Sequence, residues 1–464
     1  MARKQKRSRR RSSNGGGRVD LKQSAYAAVE SLSHDSRGVA HINGKAVFID
    51  GALPGEEVLF SYLKRKGSYD EGGVAHVIKA APERVKAGCA HFGLCGGCSL
   101  QHMAAETQIH AKQQVLLDNL KHIGSVEADE LLAPMTGPLW GYRRKARLGV
   151  KYVLKKEKVL VGFREKHSAF LADIDGCEVL HRSVGKQINA LKELVGELSI
   201  YMRIPQIEIA VGDDGTAMIF RHLEPFIGSD IDKLRAFAQQ HDVLLYLQSK
   251  GPDTVHLLWP EAAKESSQHA LCYRLPQYDI EYRFGPTNFV QVNAEINSKM
   301  IDKVIELLDL QSEDRVMDLF CGLGNFTLPM ARRVASIVGI EGDDALVELA
   351  KHNAKHNGIE NAEFYSADLS QPALLPQAGF VMDGQRFDKV LLDPARAGAL
   401  EMMAPLAKLA PKLIVYVSCN PATLARDADE LVNKHGYRMT KVGVMDMFPH
   451  TSHVEAMALF VRDE

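Results

Sequence analysis

The chain has 464 residues, of which 45% are hydrophobic and 25% charged, and its formal net charge at pH 7 is -1. This is the composition of a globular protein with roughly two to four domains. No run reaches the roughly 18 apolar residues of a membrane span, and the basic N-terminus lacks the apolar segment of a secretory signal. We therefore expect a cytoplasmic protein that binds no membrane.

Residues 1–18 hold eight Lys or Arg and no acidic residue, together with Gly and Ser. The rest of the chain is therefore net acidic. A basic tail of this kind is predicted to be disordered in isolation and attracted to phosphate. A tail that only aids solubility is the alternative.

Residues 19–81 have the pattern of a small all-β domain. Apolar and polar residues interleave in four segments that Gly- or Pro-containing turns separate: 25–32, 44–49, 57–62 and 73–78. Four or five short strands predict a barrel of the OB type. A basic and aromatic group could bind single-stranded nucleic acid there: Lys64, Arg65, Lys66 and Tyr69. A purely structural barrel is the alternative.

The seven cysteines are odd in number and lie in a large chain, which argues against a disulfide framework. Three of them lie in a Gly-rich stretch with metal-site spacing: Cys89, Cys95 and Cys98. Cys177, in an Asp-Gly-Cys turn, is the best candidate for a fourth ligand. Spacing alone leaves both zinc and a [4Fe–4S] cluster open, and a structural role is favoured over a redox role.

Residues 82–285 are predicted to form a central domain. A helical pattern follows the cysteines and places four apolar residues on one face: Ile109, Leu116, Leu120 and Ile123. Strand-like runs then alternate with turns, interrupted by helical stretches near 181–200 and 229–240. This pattern indicates a mixed, mainly antiparallel β domain.

Residues 286–464 change to a β-α-β pattern. Five strand candidates alternate with helices: 315–320, 336–341, 362–366, 389–392 and 413–417. Two last strands, 438–445 and 456–461, predict an antiparallel hairpin. An α/β fold with a parallel sheet and such a hairpin is the shape of a class I, Rossmann-like methyltransferase.

The segment Asp318–Asn325 reads as a cofactor loop between a strand and a helix, but it lacks the third glycine of the dinucleotide fingerprint. A carboxylate at Asp318 is unfavourable for a pyrophosphate and acceptable for a ligand that carries an ammonium and a sulfonium. Three side chains at strand or helix ends could bind the ribose, the adenine amino group and the carboxylate of such a ligand, in that order: Glu341, Asp368 and Asn325. We therefore predict S-adenosylmethionine rather than NAD.

Cys419 follows the predicted strand 413–417 within Ser-Cys-Asn-Pro, where open α/β sheets bind ligands. A thiolate that adds to C6 of uracil makes C5 nucleophilic enough to accept a methyl group, and a base must then remove the C5 proton. Glu455 is the best-placed base, and Asp393 belongs to the same rim. A lone cysteine is otherwise often a buried apolar residue, but the surrounding cofactor sheet favours a nucleophile.

Together these motifs resemble the RNA m5-uridine methyltransferases, and within them the enzymes of bacterial 23S rRNA. The resemblance covers residues 19–464 and also rests on Phe289–Asn293, Asp393-Pro394 and His453–Glu455. It implies a TRAM barrel and a [4Fe–4S] cluster on four ligands: Cys89, Cys95, Cys98 and Cys177. It implies cofactor contacts by six residues: Gln291, Phe320, Asn325, Glu341, Asp368 and Asp393. It also implies Cys419 as nucleophile, Glu455 as base and uracil 1939 as target.

The predicted domains are a disordered tail (1–18), an RNA-binding barrel (19–81), a central domain (82–285) and a methyltransferase domain (286–464). We expect a monomer that binds a single-stranded or loop region of 23S rRNA. A tRNA uridine or RNA cytosine C5-methyltransferase is one alternative, and the cysteine cluster and barrel argue against the tRNA enzyme. A non-catalytic ribosome-assembly factor is another, and the Cys419/Glu455 pair argues against it.

Overall fold

The computed structural model describes residues 24–261, 271–378, 384 and 386–462. The predicted basic tail lies outside the described residues. No helix in these ranges is long and apolar enough to cross a membrane. The chain divides into two compact units, one formed by residues up to 33 and 37–82, and the other by residues 34–36 and 83–464.

The described residues of the first unit form six strands and no α-helix, as the alternating pattern predicts. They are β1 (Ser24–Ala28), β2 (Ser31–Leu32), β3 (Gly38–Ile42), β4 (Lys45–Asp50), β5 (Glu57–Arg65) and β6 (Tyr69–Lys79). Their order is β1-β5-β6-β4-β3-β2, and only β4 and β6 pair in parallel. Val58, Phe60 and Tyr62 alternate along β5 and are buried in one cluster with Val47 and Ile49, which is the period of a half-buried strand.

The central part of the second unit is built on a mixed, mainly antiparallel sheet, as predicted. Its strands are β8 (Lys145–Val153), β9 (Lys158–Gly162), β10 (Gln206–Val211), β11 (Thr216–Arg221), β12 (Leu244–Gln248) and β13 (His256–Trp259). The order is β13-β12-β11-β10-β8-β9, and β11 and β12 form the parallel pair. A two-stranded sheet, β14 (Leu271–Leu275) and β15 (Ile280–Phe284), follows it.

An eight-stranded sheet occupies the C-terminal part. Its strands are β7 (Glu130–Leu131), β16 (Arg315–Leu319), β17 (Ser336–Glu341), β18 (Ala362–Ser366), β19 (Lys389–Leu392), β20 (Leu413–Ser418), β21 (Tyr437–Met445) and β22 (Glu455–Arg462). They lie in the order β18-β17-β16-β19-β20-β22-β21-β7. The first five are parallel, β22 is antiparallel to both β20 and β21, and the predicted terminal hairpin is thereby confirmed.

Helices cover both faces of this sheet. In the part of the chain that the structure describes, the α-helices are α1 (Ala105–Asn119), α2 (Arg182–Gly185), α3 (Ile188–Glu197), α4 (Gly228–His241), α5 (Ala294–Leu308), α6 (Thr327–Ala331), α7 (Asp344–His356), α8 (Leu400–Leu409) and α9 (Pro421–Asp429). Alternate residues of one strand enter different apolar clusters: Val415 lies in one, and Ile414 and Tyr416 in the other. The strands are therefore nearly continuous apolar runs, as expected for a parallel sheet buried on both sides.

Helix α1 packs against this C-terminal sheet layer although it precedes the central sheet in the chain. Ile109 and Leu116 share an apolar cluster with Leu424 of α9. A π-helical turn, Leu120–Gly124, ends the helix. At Gly124 a Cβ atom would lie 2.5 Å from the carbonyl oxygen of Ala425, so only glycine permits this approach of the two backbones.

Candidate functional site

Most of the predicted site residues lie along one edge of the eight-stranded sheet. Phe320, Asp393 and Cys419 directly follow β16, β19 and β20, and Glu341 is the last residue of β17. Because these strands are parallel neighbours, their carboxyl ends meet at the same edge. Glu455 reaches this edge from the opposite direction, as the first residue of the antiparallel β22.

Cys419 is presented by a sharp strand-to-helix turn. Asn420 is the N-cap of α9, where its side chain accepts a hydrogen bond from the Ala422 N–H (3.1 Å), and Pro421 occupies the first helical position. Both residue types are favoured at those positions. The Asn420 N–H donates to Ser418 Oγ (3.1 Å) and its Nδ2 donates to the Arg396 carbonyl (3.1 Å). The turn is therefore fixed on both sides of the thiol.

Glu455 and Cys419 lie near each other at the end of the β20–β22 pair. The last paired residues are Ser418 and Ala456, so residues 419 and 455 each lie one residue beyond the pairing. The charge of Glu455 is among the causes that raise the pKa of Cys419. The pairing of β20 with β22 thus brings the predicted nucleophile and base to the same end of the two strands.

The acids at this edge raise one another's proton affinity. Burial, with the charge of Asp393, raises the pKa of Glu455 to about 8, against the charges of Arg396 and Lys112. Burial and Glu341 raise the pKa of Asp393 to about 7. Burial, with Glu455 and Asp393, raises the pKa of Cys419 to about 11, while Arg396 opposes the shift. Ionisation of each acid is thus disfavoured by its neighbours, and a cationic ligand would favour the charged forms.

Asp318 lies behind the cofactor loop and is fully buried. One of its carboxylate oxygens accepts a hydrogen bond from the Thr327 hydroxyl (2.5 Å), whereas Oδ1 has no hydrogen-bond partner among the described residues. Burial and the charges of Asp393 and Glu341 raise the pKa of Asp318 to about 8. A buried carboxylate oxygen without a donor fits a ligand that brings an ammonium or sulfonium.

The cofactor loop is held against the next strand by main-chain hydrogen bonds. The N–H groups of Phe320 and Cys321 donate to the Ile340 carbonyl (2.8 and 3.1 Å), and the Gly322 N–H donates to Glu341 Oε2 (3.0 Å). Phe320 has a φ of 66°, a conformation that is uncommon for a bulky non-glycine residue. The predicted contacts Phe320 and Glu341 therefore form one structure with the loop.

Asn325 belongs to a polar group that the sequence analysis missed. Its side-chain amide exchanges two hydrogen bonds with Asn297 (3.0 and 2.9 Å), and its Oδ1 also accepts from the Tyr273 hydroxyl (2.9 Å). Gln291, Tyr273 and Asn297 line a small cavity of about 40 Å³. Asn297 lies one turn into α5 from its N-cap, Asn293, and this i,i+4 spacing is the signal that could have identified it.

Asp368 stands apart from the buried acids. It is exposed, and its carboxylate accepts hydrogen bonds from the Ser370 N–H and hydroxyl (2.9 and 2.7 Å) and from Gln371 (2.7 Å). The hydrogen bonds from Ser370 and Gln371 lower its pKa. Asp368 is thus an ionised hydrogen-bond acceptor just after β18. It is exposed to solvent, unlike the buried acids of the sheet edge.

The four predicted metal ligands line one cavity of about 190 Å³: Cys89, Cys95, Cys98 and Cys177. All four are partly buried and unbridged. Burial raises the pKa of the Cys98 thiol to about 12, with further contributions from the other three cysteines. Within the described residues, no group of three or more His, Cys, Asp or Glu side chains is arranged to hold a metal ion. The structure therefore gathers the predicted ligands but does not itself identify a metal.

The loop before Gln291 presents an aromatic ring to solvent. Phe289 is 68% exposed, so it is not a core residue. Lys145 Nζ donates to the carbonyls of Pro286 (2.7 Å) and Asn288 (2.6 Å), and burial lowers the pKa of Lys145 to about 8. This lysine, which the sequence analysis did not identify, fixes the loop that carries the exposed ring.

The predicted basic group of the all-β unit is partly neutralised. Lys64 and Arg65 are exposed, and the Arg65 guanidinium lies 4.0 Å from the centroid of the Tyr62 ring. Lys66 Nζ, in contrast, pairs with Glu71 (2.7 Å) and donates to the Tyr69 hydroxyl. The first two residues thus keep their charge available, and Lys66 is already engaged.

Comparison with known proteins matches two family models. Residues 267–463 match the tRNA (uracil-5-)-methyltransferase family, and residues 26–59 match the TRAM domain. In solved structures, the chain is similar to the tRNA (uracil-54, C5)-methyltransferase of Pyrococcus abyssi in complex with S-adenosyl-L-homocysteine. That likeness has a TM-score of 0.72 at 26% identity and covers 94% of this chain and all of the other.

Among curated proteins the similarity is higher. The 23S rRNA (uracil(1939)-C(5))-methyltransferase RlmD of Nitrosococcus oceani is 53% identical over 94% of this chain and 95% of that protein. The proteins of the same name from Alkalilimnicola ehrlichii and Methylococcus capsulatus are each 50% identical over 94% of this chain and 96% of theirs. The matched region includes both the all-β unit and the sheet edge with Cys419.

Proposed function

Because the chain belongs to the family of 23S rRNA (uracil-C5)-methyltransferases, we propose that Cys419 and Glu455 together methylate C5 of uracil 1939. The enzyme is an S-adenosylmethionine-dependent rRNA methyltransferase with an N-terminal TRAM domain. The observation that carries the proposal is the placement of a thiol and a high-pKa carboxyl together at the cofactor edge.

The proposed reaction begins at Cys419. Its thiolate forms a bond with C6 of the uracil, and the electron pair of the C5–C6 double bond moves to C5 and the C4 carbonyl. S-adenosylmethionine supplies an electrophilic methyl group: C5 attacks this group, the sulfur–methyl bond breaks, and S-adenosylhomocysteine is the leaving group. Glu455 then takes the proton from C5, the double bond forms again, and the C6–S bond breaks to release the Cys419 thiolate.

The other residues of the edge prepare this chemistry. Arg396 lies at the same rim, where its charge favours the Cys419 thiolate, and its guanidinium contacts His453 Nδ1 (3.0 Å). We propose cofactor contacts for Gln291, Phe320, Asn325, Glu341, Asp368 and Asp393. The exposed ring of Phe289 offers a stacking surface for an unstacked base, because single-stranded or loop RNA exposes such faces.

The target is tested by mapping 5-methyluridine in cells that lack this protein. The modification is expected to disappear from 23S rRNA at uracil 1939 and to remain in tRNA. The solved tRNA enzyme is 26% identical to this chain, whereas the rRNA enzyme of Nitrosococcus oceani is 53% identical. Loss of the tRNA modification, with 23S rRNA unchanged, would reverse the assignment.

Asp318→Asn is predicted to weaken cofactor binding. The substitution keeps the size of the buried side chain but removes the charge that faces the cation, and charge-assisted hydrogen bonds of this kind contribute roughly 10- to 100-fold in affinity. The dissociation constant for S-adenosylmethionine, measured by calorimetry, should rise by about that factor. Glu313→Gln, at an exposed position, is the matched control. Unchanged affinity in Asp318→Asn would remove Asp318 from the binding site.

We further propose that Cys89, Cys95, Cys98 and Cys177 hold a [4Fe–4S] cluster. Four thiols in one cavity are the donor set of such a cluster. The cluster would crosslink the Gly-rich loop to the turn at Cys177.

Cys98→Ser is predicted to lose the cluster. Anaerobically purified protein should contain about four iron atoms per chain, with visible absorption that the variant lacks. Cys272→Ser is the control, because Cys272 is also buried but donates to Asp214 (3.1 Å) outside the cavity. Stoichiometric zinc in place of iron would show that the cysteines form a different site.

A further inference from the structure

The segment that leads into Glu455 is held from several sides. Residues 446–454, here called the His450 segment, connect β21 to β22 and end at the proposed base. His450 is 4% exposed and has a φ of 67°. A non-glycine residue keeps this conformation only where its surroundings over-determine it. The contacts of His450 should therefore reveal what places the base.

Helix α1 supplies the first set of contacts. Gln108 is 1% exposed, and its Oε1 accepts a hydrogen bond from the His450 N–H (2.9 Å). Its Nε2 donates to the Met103 carbonyl (2.8 Å) and lies 3.3 Å from His450 Nδ1. One turn further, Lys112 Nζ pairs with Asp446 (2.6 Å) and donates to the Phe448 carbonyl (2.9 Å). Three residues of the His450 segment are thus bonded to α1: Asp446, Phe448 and His450.

The cysteine cavity supplies the second set. The N–H groups of Ser99 and Leu100, immediately after Cys98, both donate to the His450 carbonyl (2.8 and 3.0 Å). Thr451 and His453 line the same cavity as the four cysteines. Part of the wall of the cysteine cavity is therefore formed by the same segment that ends at Glu455.

Residues just before β8 complete the enclosure. The Tyr142 hydroxyl donates to the Pro449 carbonyl (3.0 Å), and the Trp140 ring packs on the His450 ring with centroids 4.1 Å apart. Main-chain hydrogen bonds, a ring contact and an ion pair thus act on the segment together. Loss of one contact would allow the segment to relax toward a commoner backbone conformation.

We infer that Gln108 is a positioning residue for Glu455, which acts with the loop after Cys98 to hold the His450 segment. This inference rests on the proposed function, in which Glu455 removes the C5 proton. It also links the cysteine site to the reaction. The loop after Cys98, which the cysteine site would hold in place, also holds the segment that ends at Glu455. Addition of Cys419 and methyl transfer precede proton removal, so they do not depend on this contact.

The experiment uses the full-length metal-loaded enzyme and ordinary uridine RNA. Gln108→Leu removes the amide but keeps an apolar side chain of similar size. With S-adenosylmethionine present, we expect a covalent enzyme–RNA adduct to accumulate on denaturing gels. We also expect multiple-turnover methylation to fall about 10- to 100-fold, the cost of a misplacement near 1 Å. The affinity for RNA and the rate of adduct formation should stay within about twofold of wild type.

Gln114→Leu is the matched control, because Gln114 lies on the same helix and bonds only to Asp118 at the surface (2.8 Å). It should behave as wild type. Trp140→Leu is a second variant, which removes the ring that packs on His450. It allows the inference to be tested even if Gln108→Leu folds poorly. Hydrogen exchange of residues 447–454 should be faster in both Gln108→Leu and Trp140→Leu.

The outcomes separate the two proposals when Glu455→Gln is measured alongside. Adduct in Glu455→Gln but none in Gln108→Leu and Trp140→Leu, with exchange unchanged, would overturn the positioning role alone. No adduct in Glu455→Gln would overturn the assignment of the base and the inference that depends on it. Adduct in all three variants, and none in Gln114→Leu, supports both.

Discussion

Cys419→Ala is expected to abolish methylation, with a rate loss of more than about 10³-fold. The C5–C6 double bond of uracil is too weak a nucleophile to attack a methyl donor without prior addition at C6. The affinity for RNA should remain close to that of wild type, because Cys419 is partly buried between a strand and a helix and contributes little contact area. Tritium release from C5 and methyl incorporation measure the two halves of the reaction.

Two further measurements decide this prediction. RNA with 5-fluorouridine at the target cannot lose a proton from C5, so it should trap wild-type enzyme covalently and leave Cys419→Ala free. Cys272→Ala is the control for loss of a buried thiol elsewhere in the fold. Methylation by Cys419→Ala would show that another group is the nucleophile.

Glu455→Gln is expected to stop turnover after methyl transfer. The variant keeps the shape of the residue but cannot accept the C5 proton, and loss of a general base costs roughly 10²- to 10⁴-fold. The methylated, covalently bound RNA should therefore accumulate with ordinary uridine as substrate. Mass spectrometry of the adduct would show the added methyl group and the retained C5 proton.

The pH dependence provides an independent check on the base. Burial and Asp393 raise the pKa of Glu455 to about 8, so the carboxylate form needed for proton removal increases as the pH rises toward 8. Breakdown of the adduct in wild type should accelerate over this range. Glu430→Gln, which removes only a surface partner of Lys434, should leave it unchanged. Rapid turnover by Glu455→Gln would mean that a different group removes the proton.

The regular parts of the fold were predictable because each strand carries its own pattern. The apolar run 413–417 predicts a buried strand, and the structure has β20 at Leu413–Ser418. The two-residue strand β7 was not predictable, since both of its residues are exposed and show no periodicity. The packing of α1 against α9 joins segments some 300 residues apart, and local sequence has no information about such pairs.

The same distinction holds for the site. The strand-end rule correctly gathers Phe320, Glu341, Asp393 and Cys419 at one edge. It gives no indication of the Lys112–Asp446 pair, because neither residue lies in a motif and their partnership exists only after the sheet has formed. The individual roles of these residues, and the metal of the cysteine cavity, remain predictions for the experiments above.

The buried acids of the sheet edge also have a consequence for the lifetime of the protein. Asp318, Asp393 and Glu455 all have folded-state pKa values raised to about 7 or 8, above their ordinary values near 4. When no cation is bound at the sheet edge, the folded protein therefore holds protons that the unfolded chain has released. The free energy of unfolding then falls as the pH rises from about 4 to 8. A bound sulfonium would offset that repulsion. The resistance of the enzyme to unfolding and proteolysis should accordingly increase with the cell's concentration of S-adenosylmethionine. Starvation for methionine would then shorten the lifetime of the enzyme as well as slow its reaction.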